Sequence, residues 1–441
     1  MISANVLQEF EQVSVSFVDE DGYPVTVPAK VRIEDGRVTV ELPEGFKGLT
    51  FAGRKVNVTF NHITPIPGGG YTDRRYLMIR GTARPAPEGI EVDVEKSYRW
   101  DEKEVPFPEY VEVSSVRARR YLERLGLRLG LDFKPRIGAF WAFFRVVRLP
   151  FLIATAVPTA IGASVAYYNG FFDPLLLLLT FVGLAFIHLG LNVANDYFDT
   201  KLGADPANRR PTPFSGGSRA IIYGLISESE SRTLFASFFA AGSAIGMYLA
   251  ITRGPLVILG LMALGLFLAY FYTAPPIKLA YRGMGELAVG TGFGPVIVLG
   301  AYFVQTQKLT LDALLASIPI GILIMLILYV NEIPDAPFDK VAGKMHLVTR
   351  ISKENALRLL AVFYAAAYAS TALIPVLRLG PPTVLIALVT IPTAVRVYRM
   401  VSGTFGIQYA MIPAMALNIR NVATTGSLLA AGYVIGAILG L

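Results

Sequence analysis

From about residue 149 onward the chain repeats runs of roughly 20 mostly apolar residues, the length a helix needs to cross a membrane. No other feature constrains the fold as strongly. Candidate spans fall near 149–168, 174–196, 233–252, 255–273, 284–305, 311–334, 356–376, 381–400 and 421–441, about nine in all. Composition agrees only on average: 53% of the 441 residues are hydrophobic and 17% charged, but the charge is concentrated before residue 135. The sequence therefore predicts a soluble domain over 1–125, a basic linker over 126–140 and a polytopic helical membrane domain over 141–441.

Orientation follows from the loops, because Lys and Arg mark the cytoplasmic side. One alternating set carries Lys201, Arg209, Arg210 and Arg219, then Lys278 and Arg282, then Lys340, Lys344, Arg350 and Lys353, then Arg396 and Arg399. The opposite set holds only Arg253, Lys308 and Arg378. The segment "RARRYLERLGLRLGLDFKPR" shares the basic side. These loops and the N-terminal domain are thus expected in the cytoplasm, with the chain integral to the plasma membrane. The start "MISANVLQEFEQ" lacks the basic and apolar regions of a cleavable signal. A net charge of +7 is read as retention of positive loops rather than nucleic-acid binding, and the absence of cysteine fits a reducing compartment.

Before residue 115 the pattern is β. "QVSVSFVDEDGYPVTVPAKVRIEDGRVTVELP" alternates apolar and polar residues around turn signals, and "RKVNVTFNHI" and "RRYLMIRGTARPAP" continue it. "VRARRYLERLGLRLGL" then turns helical and basic, as a surface-lying amphipathic linker or a solvated connector.

The chemistry is announced by acids at the ends of apolar runs. In "PLLLLLTFVGLAFIHLGLNVANDYFDTKLGAD", Asn192, Asn195, Asp196 and Asp199 fall at i, i+3, i+4 and i+7, on one helical face, and Asp205 follows. In "LIMLILYVNEIPDAPFDK", Asn331, Asp335 and Asp339 sit at i, i+4 and i+8, on the same membrane side. An Asp at the centre of a span costs roughly 2.5–3.5 kcal/mol, so a positive partner is expected. One cluster alone reads as helix caps and surface acids; two matching clusters suit a hard divalent cation such as Mg²⁺, held by carboxylates and substrate phosphates. Between them, "NRRPTPFSGGSRAI" places Arg209, Arg210 and Arg219 around Gly216 and Gly217, whose backbone can approach an anion closely. "YFYTAPPIKLAYRGMGELAVG" adds Lys278 and Arg282 near Tyr272 and Tyr281. A head group needing Mg²⁺ and cations, joined to a tail at home among apolar helices, describes a polyprenyl diphosphate. Its departing diphosphate would be stabilised by the same charges.

At these residues the sequence resembles the UbiA family of intramembrane prenyltransferases, over roughly 140–441. "NDYFDTKLGAD" is similar to the family's first Asp-rich motif, "YTAPPIKLAYRGMGEL" to its Tyr/Lys segment, and "NEIPDAPFDK" to its second Asp-rich motif. The resemblance implies a bundle of nine spans. It implies Mg²⁺ held by Asp196, Asp199, Asp335 and Asp339, with Asp205 and Asn331 as further candidate ligands. It also implies diphosphate contacts from Arg209, Arg210, Lys278, Lys344 and Asn192. Tyr272 is expected beside the cation, and Arg219 and Glu286 towards the acceptor. Within the family, the stretch through "PFSGGSR" and the position of Asp205, six residues after Asp199, look most like enzymes that prenylate 1,4-dihydroxy-2-naphthoate for menaquinone. Other acceptors (an isoprenoid glycerol phosphate, a chlorin, haem or 4-hydroxybenzoate) remain open, and an ion or proton transporter is the reading from another class. The second motif departs from the family pattern: Pro334 and Pro337 flank Asp335 and are expected to bend or end the helix early, and "KMHLVTR" replaces a "KxTLxxR"-like run.

More faintly, 1–125 resembles the pyridoxamine 5'-phosphate oxidase-like split barrels, through "VSFVDEDGYPVTVPAKVRIEDGRVTV", "AGRKVNVTFNH" and "YLMIRGTARP". That resemblance implies FMN at a homodimer interface, with Lys47, Arg54 and Lys55 as candidate phosphate contacts, although exposed strand charge is the plainer reading of all three. His62 and His188 are read as structural. The expected fold class is thus an all-β split barrel followed by an all-α polytopic membrane bundle.

Overall fold

The computed structural model describes residues 9–19, 24–34, 37–46, 53–65, 71–87, 89–103, 139–208 and 211–441. The chain divides into two compact units, Met1–Arg120 and Tyr121–Leu441. Residues 126–138 of the expected linker over 126–140, with Lys47, Arg209 and Arg210, lie outside the described residues.

The first unit is one antiparallel sheet built from β1 (Gln12–Val18), β2 (Pro24–Pro28), β3 (Lys30–Glu34), β4 (Arg37–Glu41), β5 (Lys55–Pro65), β6 (Tyr71–Ala86) and β7 (Gly89–Asp101). Its order is β2-β1-β5-β6-β7-β4-β3, consistent with a split barrel. Alternation selects the buried face: Val15 and Phe17 on β1, Val56, Val58 and Phe60 on β5, and Leu77 and Ile79 on β6 share one core. The β6–β7 register shifts between Arg80 and Gly81. A Cβ on Gly81 would collide with the backbone of Asp93, so glycine is required at this bulge.

The second unit is helical. A short helix, α1 (Ala139–Val146), is followed by α2 (Ile153–Tyr168), α3 (Pro174–Leu202), α4 (Glu228–Arg253), α5 (Pro255–Phe271), α6 (Gly285–Thr291), α7 (Ile297–Thr306), α8 (Leu311–Val341), α9 (Lys353–Val376), α10 (Ile391–Thr404) and α11 (Ile412–Leu439). A π-helical turn, Gly292–Val296, joins α6 to α7 into one span. Among the described residues eight helical segments are long and apolar enough to cross a membrane, and α5 is a shorter apolar helix. The chain is an integral membrane protein with close to the nine spans expected.

Local sequence sets the helix ends. Asp173 caps α3, its carboxylate accepting from the amides of Leu175 and Leu176, with Pro174 at the first helical position. Gly203, at φ 90°, closes the same helix. Ser227 and Glu230 form a capping box at the start of α4.

Helix α3 runs past the apolar span to Leu202, through Asp199 and short of Asp205, as the helical spacing of its acids implied. One end differs from expectation. Helix α8 continues through Pro334 and Pro337 to Val341, correcting the expected early end. Proline removes one helical N–H and crowds the carbonyl four residues back, but in a packed bundle neighbouring groups can satisfy what is freed.

Small residues allow the central helices to approach. A Cβ on Gly162 of α2 would lie 2.5 Å from the Val298 carbonyl and 2.8 Å from the Ala301 Cβ of α7. Gly162→Leu is expected to force these helices apart and destabilise the bundle by about 1–3 kcal/mol. A thermal-unfolding midpoint in detergent equal to that of the parent protein would contradict this packing.

Candidate active site

The two acid motifs converge on one cavity of about 160 Å³. Its polar end is lined by Arg148, Asn192, Asn195, Asp199, Asp205, Asn331, Glu332, Asp335, Asp339 and Lys344, and its other end by Phe151, Leu191, Phe214, Val289, Phe293, Ile324 and Ile327. Tyr272 and His188 also line it. Helix α3 supplies the first motif and α8 the second, each from the buried face its spacing defines.

Each aspartate is held differently. The Tyr281 hydroxyl donates to Asp199 Oδ1 at 2.7 Å, and Lys344 Nζ donates to Oδ2 at 2.8 Å. Asn195 Nδ2 also donates to Oδ2, at 3.0 Å. Asp335 accepts from Asn208 Nδ2 at 2.9 Å and from the Gly216 amide at 2.8 Å. Asp196 does not line the cavity; it accepts from the Ser218 amide at 3.1 and 3.2 Å, with Arg148 Nε 3.9 Å away. The Gly216–Gly217 loop therefore bridges the two motifs through backbone amides. Both glycines have φ in the left-handed region, 76° and 73°, and a Cβ on Gly217 would collide with the Asp205 carboxylate. The sequence suggested that this backbone approaches a substrate anion. In the structure the Gly216 amide is instead bonded to Asp335.

Asp205 sits in the short helical turn Ala204–Ala207. Burial, followed by the charges of Asp199 and Asp196, pushes its pKa well above the usual carboxylate range. Burial alone would lower the pKa of Lys344, but Asp199 and Asp339 outweigh it and hold the ammonium well above its ordinary value. Asp205 Oδ2 and Asn331 Oδ1 are buried without a hydrogen-bond partner.

Several residues singled out from sequence lie elsewhere. Arg219 donates to the carbonyls of Asp205 at 2.9 Å and Asn208 at 2.6 Å, which staples the loop, and it does not line the cavity. Lys278 stands over the Tyr281 ring, 5.5 Å from its centroid, and Glu286 accepts from the Leu347 amide at 2.7 Å; neither is in the lining. Asn192 Nδ2 donates to the Val147 carbonyl at 3.0 Å while its residue borders the cavity. His188 pairs with Thr155 at 2.7 Å. Sequence reading missed Arg148, whose only signal was the second of two arginines in "FRVVRLPF", and Glu332, hidden beside Asn331.

The apolar end continues further. A cavity of about 70 Å³ shares Leu191, His188, Tyr272, Val289 and Phe293 with the first. A third, of about 100 Å³, shares Leu184, Ile187, Gly265 and Val296 with the second.

In the N-terminal unit, Arg54 donates to the Val18 carbonyl at 3.0 Å. Lys55 bonds Thr82 and pairs with Glu95, and His62 lies 3.2 Å from Asp73.

Residues 155–404 match the UbiA prenyltransferase family. A 2-carboxy-1,4-naphthoquinone phytyltransferase of Synechocystis sp. is 27% identical over 65% of this chain and 91% of its own. A 1,4-dihydroxy-2-naphthoate octaprenyltransferase of Bacillus subtilis is 30% identical over 56% of this chain and 78% of its own. A solved structure of a UbiA homolog from Archaeoglobus fulgidus bound to DMAPP and Mg²⁺ aligns with TM-score 0.48 at 15% identity, covering 65% of this chain and 98% of that one.

Proposed function

The chain belongs to the UbiA prenyltransferase family, and from that premise we propose that it transfers a polyprenyl group from an isoprenoid diphosphate to 1,4-dihydroxy-2-naphthoate. The observation that carries this reading is a single cavity with facing acid motifs and two cations at one end and an apolar continuation at the other. The naphthoate acceptor is supported by the names of two relatives.

The donor set fits Mg²⁺. Asp199, Asp205, Asp335, Asp339 and Asn331 offer oxygen alone, and two of those oxygens are buried without a partner, as a hard cation's ligands would be before binding. Bound there, Mg²⁺ supplies charge neutralisation for the departing diphosphate. Lys344 and Arg148 bind and orient the diphosphate oxygens. Tyr272, where the polar and apolar linings meet, positions the allylic carbon, and the helices around it exclude water that would otherwise capture the carbocation. Asp196 is a positioning residue: it fixes the loop whose Gly216 amide holds Asp335. Arg219 positions the same loop.

The apolar cavities accommodate the tail. Gly265 borders both the second and the third, so Gly265→Phe is expected to block passage between them and favour shorter donors by about 10-fold in kcat/KM, the value of a few methylenes of lost burial. Unchanged chain-length preference in a donor series would contradict this path. The acids and basic loops are assigned to the cytoplasmic side by the charge of the loops, which protease accessibility in oriented vesicles tests. A flavin in the N-terminal unit lacks support from its candidate contacts: Arg54 and Lys55 are committed to protein groups. Homodimerisation of that unit rests on its likeness to split barrels alone.

A further inference from the structure

Glu332, which lines the aspartate cavity, also belongs to a second polar cluster to which the proposed prenyl transfer assigns no role. Glu286, at the start of α6, Glu332, on α8, and His346, in the loop after α8, are 4%, 5% and 0% exposed. One ligand atom from each lies within 4.8 Å of the others. Both ring nitrogens of His346, both carboxylate oxygens of Glu332 and Oε2 of Glu286 are buried without a hydrogen-bond partner. Five such atoms on three neighbouring buried residues would leave a large uncompensated desolvation cost.

Nearby charge does not relieve it. Lys344, the adjacent cation, is bonded to Asp199 at 2.8 Å. Asp339 adds a carboxylate 3.3 Å from His346 Nε2. Tyr272 and Tyr329 also face the two glutamates, and neither carries positive charge. Three carboxylates thus surround one imidazole in an interior where unpaired charge is expensive.

We propose that Glu286, Glu332 and His346 bind a first-row divalent transition ion of the Zn²⁺ class, distinct from the Mg²⁺ of the aspartate site. The chemistry separates the two: an imidazole nitrogen with two carboxylates suits Zn²⁺, whereas Mg²⁺ takes oxygen ligands and keeps several waters. One pair is near tetrahedral spacing, within a set whose ligand atoms all lie within 4.8 Å of one another. Glu332 Oε2 and His346 Nδ1 are 3.6 Å apart, against about 3.4 Å for two donors on a tetrahedral ion with bonds of about 2.05 Å. Asp339 then stands beside the other ring nitrogen, where metal-bound histidines find an orienting carboxylate. An ion there would tie α6 and α8 to the loop that carries Lys344, with one position left for water.

Metal content tests this independently of prenyl transfer, so its failure would leave the proposed reaction untouched. The full-length protein in detergent is stripped with EDTA, dialysed against micromolar Zn²⁺ with millimolar Mg²⁺, and read by elemental mass spectrometry. The parent protein and Asp196→Asn are expected to retain about one zinc per chain, and Glu332→Gln and His346→Ala at least about 10-fold less. No retained zinc in the parent would mean that the carboxyls share protons instead, and would overturn the proposal. So would full retention in His346→Ala, or equal loss in Asp196→Asn. Should the cluster variants fail to fold, the protein loaded with one equivalent of Cu²⁺ in millimolar Mg²⁺ carries the test, because imidazole suits Cu²⁺ and an all-oxygen site does not. The chain has three histidines, and His188 is bonded to Thr155, so a His62→Ala background leaves His346 as the nitrogen donor. Pulsed EPR is then expected to show imidazole ¹⁴N coupling to Cu²⁺, and its absence overturns the assignment.

Discussion

Asp335→Asn is expected to lower Mg²⁺-dependent prenyl transfer by at least about 100-fold, the scale on which removing one electrostatic contact to a transition state is felt. The substitution keeps the side chain's shape but removes its charge at the junction between the two motifs. Asp335 accepts from Asn208 and from the Gly216 amide on separate oxygens. An amide nitrogen on either side would face a donor, so the loop that also holds Asp196 loses an anchor at a cost of about 1–3 kcal/mol. Two readouts separate these effects: the thermal midpoint reports the anchor, and the Mg²⁺ concentration for half-maximal activity reports the charge. Activity within a few-fold of the parent protein would contradict the role assigned to the second motif.

Lys344→Met has the largest expected effect on stability. It removes the cation bonded to Asp199 at 2.8 Å and leaves a buried carboxylate held, among the described residues, by the Tyr281 hydroxyl and the Asn195 amide. Breaking a buried pair from one side costs about 3–5 kcal/mol, and the same change removes a proposed diphosphate contact, raising KM for the donor. The folded pKa of Lys344 is raised. The ammonium's contribution is therefore fully present below the unfolded value, near about 10.4, and is lost only as pH rises through the higher folded value. The stability difference between Lys344→Met and the parent protein should thus be the same at pH 6 and pH 8. A difference that disappears within that interval would contradict the pairing.

Much of this site was legible in the sequence, for a physical reason. Aspartates at helical spacing within apolar runs stand out because a lipid-facing position would exclude them, so Asp199, Asp205, Asp335 and Asp339 could be grouped before any coordinates. The number of spans was legible on the same grounds. What the sequence did not carry was direction. Asp196 and Asp199 are three residues apart on one face, yet Asp196 turns to the Ser218 amide while Asp199 borders the cavity. Arg219 and Lys278 look like phosphate ligands by charge, but Arg219 bonds two backbone carbonyls and Lys278 covers Tyr281. Glu286, Glu332 and His346 are 46 and 14 residues apart along the chain, and only the packing of α6, α8 and the following loop brings them together. The helix through Pro334 and Pro337 was misread because propensity weighs each proline singly, whereas the bundle around α8 fixes its course.

The central claim, prenyl transfer to a naphthoate, is tested most directly by mass spectrometry of product. Membranes containing the protein are given one isotopically labelled polyprenyl diphosphate, Mg²⁺ and an equimolar set of acceptors: 1,4-dihydroxy-2-naphthoate, 4-hydroxybenzoate, geranylgeranylglyceryl phosphate, a chlorin and haem. Label in a prenylated naphthalene product, absent with EDTA and with Asp335→Asn, is the predicted result. Label in another acceptor, or in none while the naphthoate is recovered intact, would contradict it.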